Sequence, residues 1–247
     1  MKVSIITACL NSENTIRDTI ESVIAQNYSD LEYIVVDGGS KDRTLSIIES
    51  YHQSIQKTVS EKDCGYYDAL NKAITFASGE LIGILNSDDV FADQNVVSTV
   101  AEAFANNAID IVWGDVIYVN KRNKIRRFYS GSKLSPSSFK YGIMPPHPSV
   151  FIRKKCYEEF GYFNIKYEFA DYDLLLRFIS LKKIRYLYLS KVLVKMKLGG
   201  TSNQNIFSVI RLNKEIYKIH HDNGVPISVI HLIKKVPRRM LELIKRP

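Results

Sequence analysis

Leu81-Ile82-Gly83-Ile84-Leu85 runs directly into Asn86-Ser87-Asp88-Asp89. Five residues without a polar side chain suit a strand buried on both faces, as in the parallel sheets of α/β folds. Two adjacent carboxylates then stand where that strand ends. Working upstream, the same pattern recurs. Val3–Thr7 is a short apolar strand, followed by a helix over Glu13–Gln26 with Ile16, Ile20, Val23 and Ile24 on one face. Glu32–Asp37 is a second strand, followed by the loop Gly38-Gly39-Ser40-Lys41-Asp42 and a helix over Asp42–Tyr51. A third strand is expected near Lys57–Ser60. A helix over Tyr66–Ala77 places Ala69, Leu70, Ala73, Ile74 and Ala77 at helical spacing, and another is expected over Asp93–Asn106.

Strand and helix alternating in this way predict an α/β fold with a mostly parallel sheet flanked by helices. Ligands of such sheets bind beyond the carboxyl ends of the strands. Polar residues gather at four of those ends: Cys9–Asn11, Asp37, Glu61–Asp63 and Asn86–Asp89.

The second half has a different pattern. Ile109–Trp113, Asp115–Asn120 and Lys124–Tyr129 are expected as strands, the last two joined by a tight turn at Lys121-Arg122-Asn123. A proline-rich loop, Ser135–Ser149, precedes a strand at Val150–Ile152. A helix over Ala170–Leu181 and a strand over Ile184–Leu189 follow. Two basic amphipathic segments, Ile206–His221 and Pro226–Ile244, end the chain.

At 247 residues the chain is long enough for one large domain. Its net charge is +8, and the excess is concentrated: Arg211 to Pro247 hold nine Lys/Arg against Glu215, Asp222 and Glu242. Three scattered cysteines without a C-x-x-C pair point to neither a zinc site nor a disulfide framework, and suit a reducing cytoplasm. No window approaches the ~20 apolar residues that a membrane-spanning helix needs. The expectation is a protein that is soluble or lies on a membrane.

Neither G-x-G-x-x-G after the first strand nor a P-loop signature is present, so nicotinamide and P-loop chemistry lose their main support. By itself Asn86-Ser87-Asp88-Asp89 reads as a cap for the helix that follows. With four strand ends converging on one edge, a divalent cation is the better reading. Adjacent carboxylates repel, and Mg²⁺ or Mn²⁺ takes oxygen ligands and bridges to phosphates.

Six motifs in register resemble glycosyltransferase family 2, which has the GT-A fold, from about residue 3 to about residue 203. They are the opening strand with Thr7 and Asn11; Val35-Val36-Asp37-Gly38-Gly39-Ser40-Lys41-Asp42-Arg43-Thr44; Ser60-Glu61-Lys62-Asp63-Cys64-Gly65-Tyr66-Tyr67-Asp68-Ala69-Leu70-Asn71-Lys72-Ala73; Gly79-Glu80; Asn86-Ser87-Asp88-Asp89; and Ala170-Asp171-Tyr172-Asp173-Leu174-Leu175-Leu176-Arg177.

The resemblance implies a nucleotide-sugar donor held by Thr7, Asn11, Asp37, Asp63, Lys72, Asn86 and Ser87, with Asp88 and Asp89 on the metal. It implies Asp171 as the base that deprotonates the acceptor hydroxyl, in one inverting displacement. Asp37 can also form an Asx turn over Gly38-Gly39, Lys72 can be a solvated helix lysine, and Asp171 can also be a helix N-cap. Two positions depart from the family pattern: Asn86 stands where the metal motif often begins with Asp, and Ala170 where an acidic residue often precedes the base. His147, Trp113 and Asp115 are candidates for the acceptor side. Leu198-Gly199-Gly200-Thr201-Ser202 resembles a loop that closes over the donor.

These readings divide the chain into a catalytic domain over 1–203 and a basic helical tail over 204–247. Within the domain, 1–112 binds the nucleotide sugar and 113–203 the acceptor. The implied reaction moves a hexose from a UDP-sugar to a saccharide on a polyprenyl-diphosphate carrier, in bacterial surface-polysaccharide (O-antigen or exopolysaccharide) synthesis. The implied location is cytoplasmic and peripheral on the inner membrane face, held there by the tail, with no role for nucleic acid. Two alternatives are a nucleotidyltransferase, which should carry a glycine-rich basic signature after the first strand, and a catalytically idle scaffold of a polysaccharide assembly complex.

Overall fold

In the computed structural model, residues 1–105, 108–120, 122–197 and 206–232 are described. Nine strands form one sheet in the order β3-β2-β1-β4-β8-β6-β9-β5, with β7 paired to β6. β1 (Val3–Cys9), β2 (Leu31–Asp37), β3 (Lys57–Ser60) and β4 (Leu81–Ile84) are mutually parallel. β1 is buried along its whole length, and its two polar side chains, Ser4 and Thr7, are hydrogen-bonded inside, to Glu32 and Tyr33. β8 (Val150–Arg153) pairs antiparallel with both β4 and β6 (Ile111–Val119). β9 (Tyr186–Lys197) runs parallel to β6 and antiparallel to β5 (Asp89–Phe91), and β7 (Ile125–Tyr129) is antiparallel to β6. The N-terminal half of the sheet is therefore parallel and the C-terminal half mixed.

The helices cover both faces. α1 (Ile16–Ile24) buries Ile16, Thr19, Ile20 and Val23 at i, i+3, i+4 and i+7. α2 (Thr44–Glu49) lies beside it. α3 (Tyr66–Phe76) buries Ala69, Leu70, Ala73 and Ile74 in the other core, beneath β1 and β2. Ala pairs keep α3 close to the sheet. At Gly83 a Cβ would lie 2.5 Å from the Phe151 ring, so only glycine lets β8 pair with β4 there.

Several elements differ from expectation. The helix after Asp89 is α4 (Val96–Ala103), and Asp89 itself opens β5. A three-residue strand is too short to leave a periodic signal. Ile109–Trp113 and Asp115–Asn120 are one strand, β6, with its register shifted around Gly114. Opposite that shift β9 carries extra residues, so it continues past polar Ser190-Lys191 to Lys197. α5 (Lys154–Phe160) is an addition to the expected elements, because a seven-residue helix shows barely two turns of pattern. α6 (Ala170–Leu175) continues as a π-helical turn over Leu176–Leu181.

The first tail segment is α7 (Ile206–Asp222), which buries Ile216 and Ile219 in the same core as α6. No helix among the described residues is long and apolar enough to cross a membrane. The loop Leu198–Ser202 and the tail beyond Leu232 lie outside the described residues.

Candidate active site

The four N-terminal strand ends are laced together by hydrogen bonds. Asn11, at φ 49°, accepts the Lys41 amide on its side-chain oxygen (2.9 Å) and donates its own amide to Ser40 Oγ (2.8 Å). Ser12 N–H donates to Thr44 Oγ1 (2.7 Å), and Glu13 N–H to Asp42 (3.1 Å). Ser12 Oγ meets Ser87 Oγ at 2.9 Å, joining the first strand end to the fourth. Glu61 N–H donates to Asp37 O (3.0 Å), joining the second to the third. The expected convergence is present, and Asn11, Asp37, Asp63, Asn86, Ser87, Asp88 and Asp89 all stand at this edge.

Asp37 is fully buried. It accepts from the amides of Gly39 (3.2 Å) and Ser40 (3.1 Å), from Ser60 Oγ (2.7 Å) and from Ser40 Oγ. This is the Asx-turn role, and with φ +82° at Gly39 it shapes the loop after β2. Asp63 Oδ1 accepts from Lys72 Nζ (2.6 Å); its Oδ2 is buried without a partner among the described residues and faces Gly38.

Four candidates have other roles. Thr7 is fully buried mid-strand and accepts the Tyr33 hydroxyl (3.1 Å), so it backs the edge and does not line it. Lys72 is partly exposed, but its ammonium is turned to neighbouring carboxylates. Its ammonium is held by Asp63, Glu61 (2.8 Å) and Asp68 (3.3 Å), which raise its pKa. Trp113 is fully buried, stacked on Tyr186 and donating Nε1–H to Gly131 O (3.2 Å). Asp115 accepts from Gly131 N (2.8 Å) and the Tyr188 hydroxyl (3.0 Å). Both lie on β6, where the residue that looks outward in a broken strand is core in a continuous one.

The aspartate pair is not a helix cap. α4 begins after Asn95, and Asp89 is a strand residue, 1% exposed. Asp89 accepts from Asn86 Nδ2 (2.8 Å), while its Oδ1 has no partner among the described residues. Burial, then the neighbouring Asp88, pushes its carboxyl up to about 8. Burial also raises Asp88. Asn86 has a role that aspartate could not fill, because its amide donates to Asp89 and its oxygen accepts the Tyr66 hydroxyl (2.5 Å).

Among the described residues, no group of three or more His, Cys, Asp or Glu clusters as a complete metal cage. The orphaned Asp89 oxygen and the paired carboxylates fit a hard cation that takes its remaining ligands from phosphate and water.

Asp171 is the second residue of α6 and does not cap it; the cap position is Phe169. Its Oδ1 accepts the Tyr172 amide (2.9 Å) and the Tyr67 hydroxyl (2.9 Å). Its Oδ2 lies 3.1 Å from His147 Nδ1. His147 is held in a one-turn 3₁₀ helix, His147–Ser149, between prolines. The two oxygens thus receive three donors with His147 in its Nδ1–H tautomer, and Oδ2 retains a lone pair for an incoming hydroxyl.

Tyr66 and Tyr67 are site residues that the sequence reading does not single out. They open α3, and their hydroxyls go to opposite halves: Tyr66 to Asn86, Tyr67 to Asp171. Desolvation of its phenol, then Asp171, Asp89 and Asp88, raise the pKa of Tyr66, a residue 39% exposed overall, so carboxylates of one strand end and one helix act on the same group. Burial and Asp171 raise Tyr67 likewise. Their one sequence signal is a tyrosine pair directly after Gly65, in the first turn of a helix that starts at the ligand edge.

Residues 4–171 match the model of glycosyl transferase family 2. A PGL/p-HBAD biosynthesis glycosyltransferase of Mycobacterium bovis is 29% identical over 98% of this chain and 92% of its own length. An uncharacterized glycosyltransferase of Methanocaldococcus jannaschii is 23% identical over 81% of this chain and 72% of its own. Among solved structures, a mannosyltransferase of Pyrobaculum calidifontis in complex with GDP-Man and Mn²⁺ superposes with a TM-score of 0.69 at 17% identity, covering 97% of this chain and 68% of that one. S. aureus TarS 1-349 in complex with UDP-GlcNAc gives 0.65 at 19% identity, covering 98% and 73%. The chain spans 43% of the longer TarS structure. The two superpositions share the GT-A fold.

Proposed function

This chain belongs to glycosyl transferase family 2, and from that premise we propose that it transfers a hexose from a UDP-sugar, with inversion, to a saccharide carried on polyprenyl diphosphate. The observation that carries the mechanism is the tyrosine pair. Adjacent residues of one helix turn reach Asn86 on the donor edge and Asp171 on the other side. That arrangement sets a base beside the edge where a nucleotide diphosphate would lie.

Asp171 Oδ2 takes the proton of the acceptor hydroxyl as that oxygen bonds to the anomeric carbon. The bond from that carbon to the donor phosphate breaks on the opposite side, and the nucleoside diphosphate leaves with the electron pair. Tyr67 and the Tyr172 amide fix Oδ1, so the carboxylate cannot rotate away. His147 holds Oδ2 and stabilises its charge before the proton arrives. Asn11, Asp37, Asp63 and Ser87 form the donor edge. Asp88 and Asp89 would hold Mn²⁺ or Mg²⁺, which when bound neutralises charge on the diphosphate.

In this reading residues 1–112 bind the donor, 113–203 bind the acceptor, and 204–247 form a tail that rests on the inner, cytoplasmic face of the membrane. The pathway is surface-glycan assembly, as the resemblance implies. The similarity to a PGL/p-HBAD biosynthesis glycosyltransferase supports a biosynthetic role.

A panel of nucleotide sugars assayed against lipid-diphosphate-linked GlcNAc and GalNAc, with linkage analysis, tests donor, acceptor and stereochemistry together. A β-linked product from a UDP-sugar is expected; transfer from GDP-sugars alone would remove the donor assignment. Deleting Pro226–Pro247 is expected to move protein from the membrane fraction to the supernatant, and unchanged partitioning would refute the tail's role.

A further inference from the structure

From Val116 to Tyr157 the chain holds ten Lys/Arg and not one Asp or Glu. The centre of this run is the β6–β7 hairpin. Arg122, Lys124, Ile125, Arg126, Arg127 and Phe128 are all exposed, Ile125 to 62% and Phe128 to 56%. None of the four cations has an ion-pair partner among the described residues; Arg127 lies 5.3 Å from the Tyr118 ring. The register shifts between Tyr118 and Val119, so Ile125, paired with Val119, and Phe128, paired with Ile117, share one face of the ribbon, while Arg127, paired with Tyr118, is on the other.

We propose that this hairpin docks on an anionic lipid bilayer, its cations on the headgroups and its Ile125 and Phe128 in the interface. Lysine and arginine on an edge strand also deter strand-to-strand aggregation. That role calls for charge and is worsened by an exposed isoleucine and phenylalanine. A nucleic acid would lie against one basic face. Here two exposed apolar side chains share one face of a ribbon that also carries four cations, which suits a tip entering a layered surface that is charged outside and apolar beneath. The position also serves the active site. The Tyr129 hydroxyl donates to Met144 O (2.8 Å), linking the end of β7 to the proline loop that holds His147 against Asp171. Docking the hairpin would turn that side of the molecule toward a lipid-borne acceptor. The surface is separate from the tail and extends the membrane-facing part of the proposed function.

The test is sedimentation of the full chain with vesicles of phosphatidylcholine containing 30% phosphatidylserine, and with pure phosphatidylcholine, in 0.1 M salt. Each cation near an anionic surface contributes roughly a fivefold factor in partitioning. Arg126→Gln with Arg127→Gln should therefore lower binding to the anionic vesicles about 25-fold, with an unchanged melting curve. Phe128→Trp supplies a second readout, because the chain's own tryptophan, Trp113, is buried. The emission of the introduced indole should shift to the blue with anionic vesicles and be quenched by brominated lipid, also in a chain lacking Pro226–Pro247. Unchanged partitioning of the double variant, or fluorescence of the Phe128→Trp variant that is indifferent to lipid, overturns the proposal. So does a double variant that loses binding to a DNA oligonucleotide while keeping its binding to vesicles. A failed tail deletion leaves the hairpin readouts intact, so the two ideas fail separately.

Discussion

A buried aspartate closes β2 and another opens β5, just past the end of β4, and the two are completed in opposite ways. Asp37 receives five donors, two amides and two hydroxyls from Gly39, Ser40 and Ser60 and the thiol of Cys9, all within its own loop and the neighbouring strand ends. Asp89 receives one side-chain donor, from Asn86, and its buried Oδ1 has no hydrogen-bond partner among the described residues. The same residue type, at the same sheet edge, is a finished structural part in one place and an open valence in the other. A buried charge without partners costs several kcal/mol, and its site is kept when something from outside completes it. The contrast separates a scaffold side, at the end of β2, from a working side, at the turn between β4 and β5 and at α6.

The largest effect should come from the working side. Asp171→Asn keeps the shape and removes the base, so turnover should fall about 10³-fold, within the range for general base catalysis, with no change in melting temperature. Asp88→Ala should be comparably damaging to turnover. Near-normal rates in both variants would end the division drawn above.

Next in size is a stability comparison between the two buried aspartates. Asp37→Ala leaves two loop amides and two hydroxyls without their acceptor and should cost about 3 kcal/mol. Asp89→Asn should cost nothing in metal-free protein and raise its stability at neutral pH. The sign follows from linkage: a carboxyl whose folded pKa lies above its unfolded value stabilises the fold below about 4, and that contribution is lost as pH rises through about 8. Metal-free wild type should therefore lose stability between pH 5 and pH 8 relative to Asp89→Asn, by a few kcal/mol on the scale of about 1.36 kcal/mol per unit. Added Mn²⁺ should recover the difference in the wild type alone. Parallel melting curves for the two proteins across that range would show that Asp89 is satisfied in a way the open-valence account denies.

The same contrast explains what the amino-acid order made legible. The parallel half of the sheet is local: an apolar run, a turn and a polar loop lie within a few residues of each other, so β1 to β4 and their polar ends follow from periodicity. Asn11, Asp37, Asp63 and the Asn86–Asp89 run lie at one edge because their strands do. Their partners are harder to read. Lys72 is a plausible phosphate ligand until Glu61, Asp63 and Asp68 are seen around it. Trp113 and Asp115 are on the surface of a broken strand and in the core of a bulged one, and the bulge depends on β9, about 75 residues later. The contact between His147 and Asp171 joins a loop to a helix across 24 residues, and Tyr67 reaches Asp171 across 104. No local rule encodes such pairs, because the sheet order brings them together.

The smallest effects should come from the tyrosine pair, which separates the two sides most finely. Tyr67→Phe removes one of the donors on Asp171 Oδ1 and leaves the Tyr172 amide in place. A hydrogen bond to a charged group contributes about 1.5 kcal/mol, so kcat should fall about tenfold with donor KM unchanged. Tyr66→Phe removes the donor on the Asn86 oxygen, a half-exposed neutral contact of about 0.5–1 kcal/mol. Asn86 still donates to Asp89, so the carboxylate pair keeps its support, and the loss should appear as a two- to fivefold rise in donor KM with kcat nearly constant. Adjacent residues on one helix turn would then report on two different steps, capture of the donor by Tyr66 and proton transfer by Tyr67. If both substitutions instead lower kcat alike, the tyrosines act as one wall of a single pocket, and the boundary between donor edge and base must be moved off the first turn of α3.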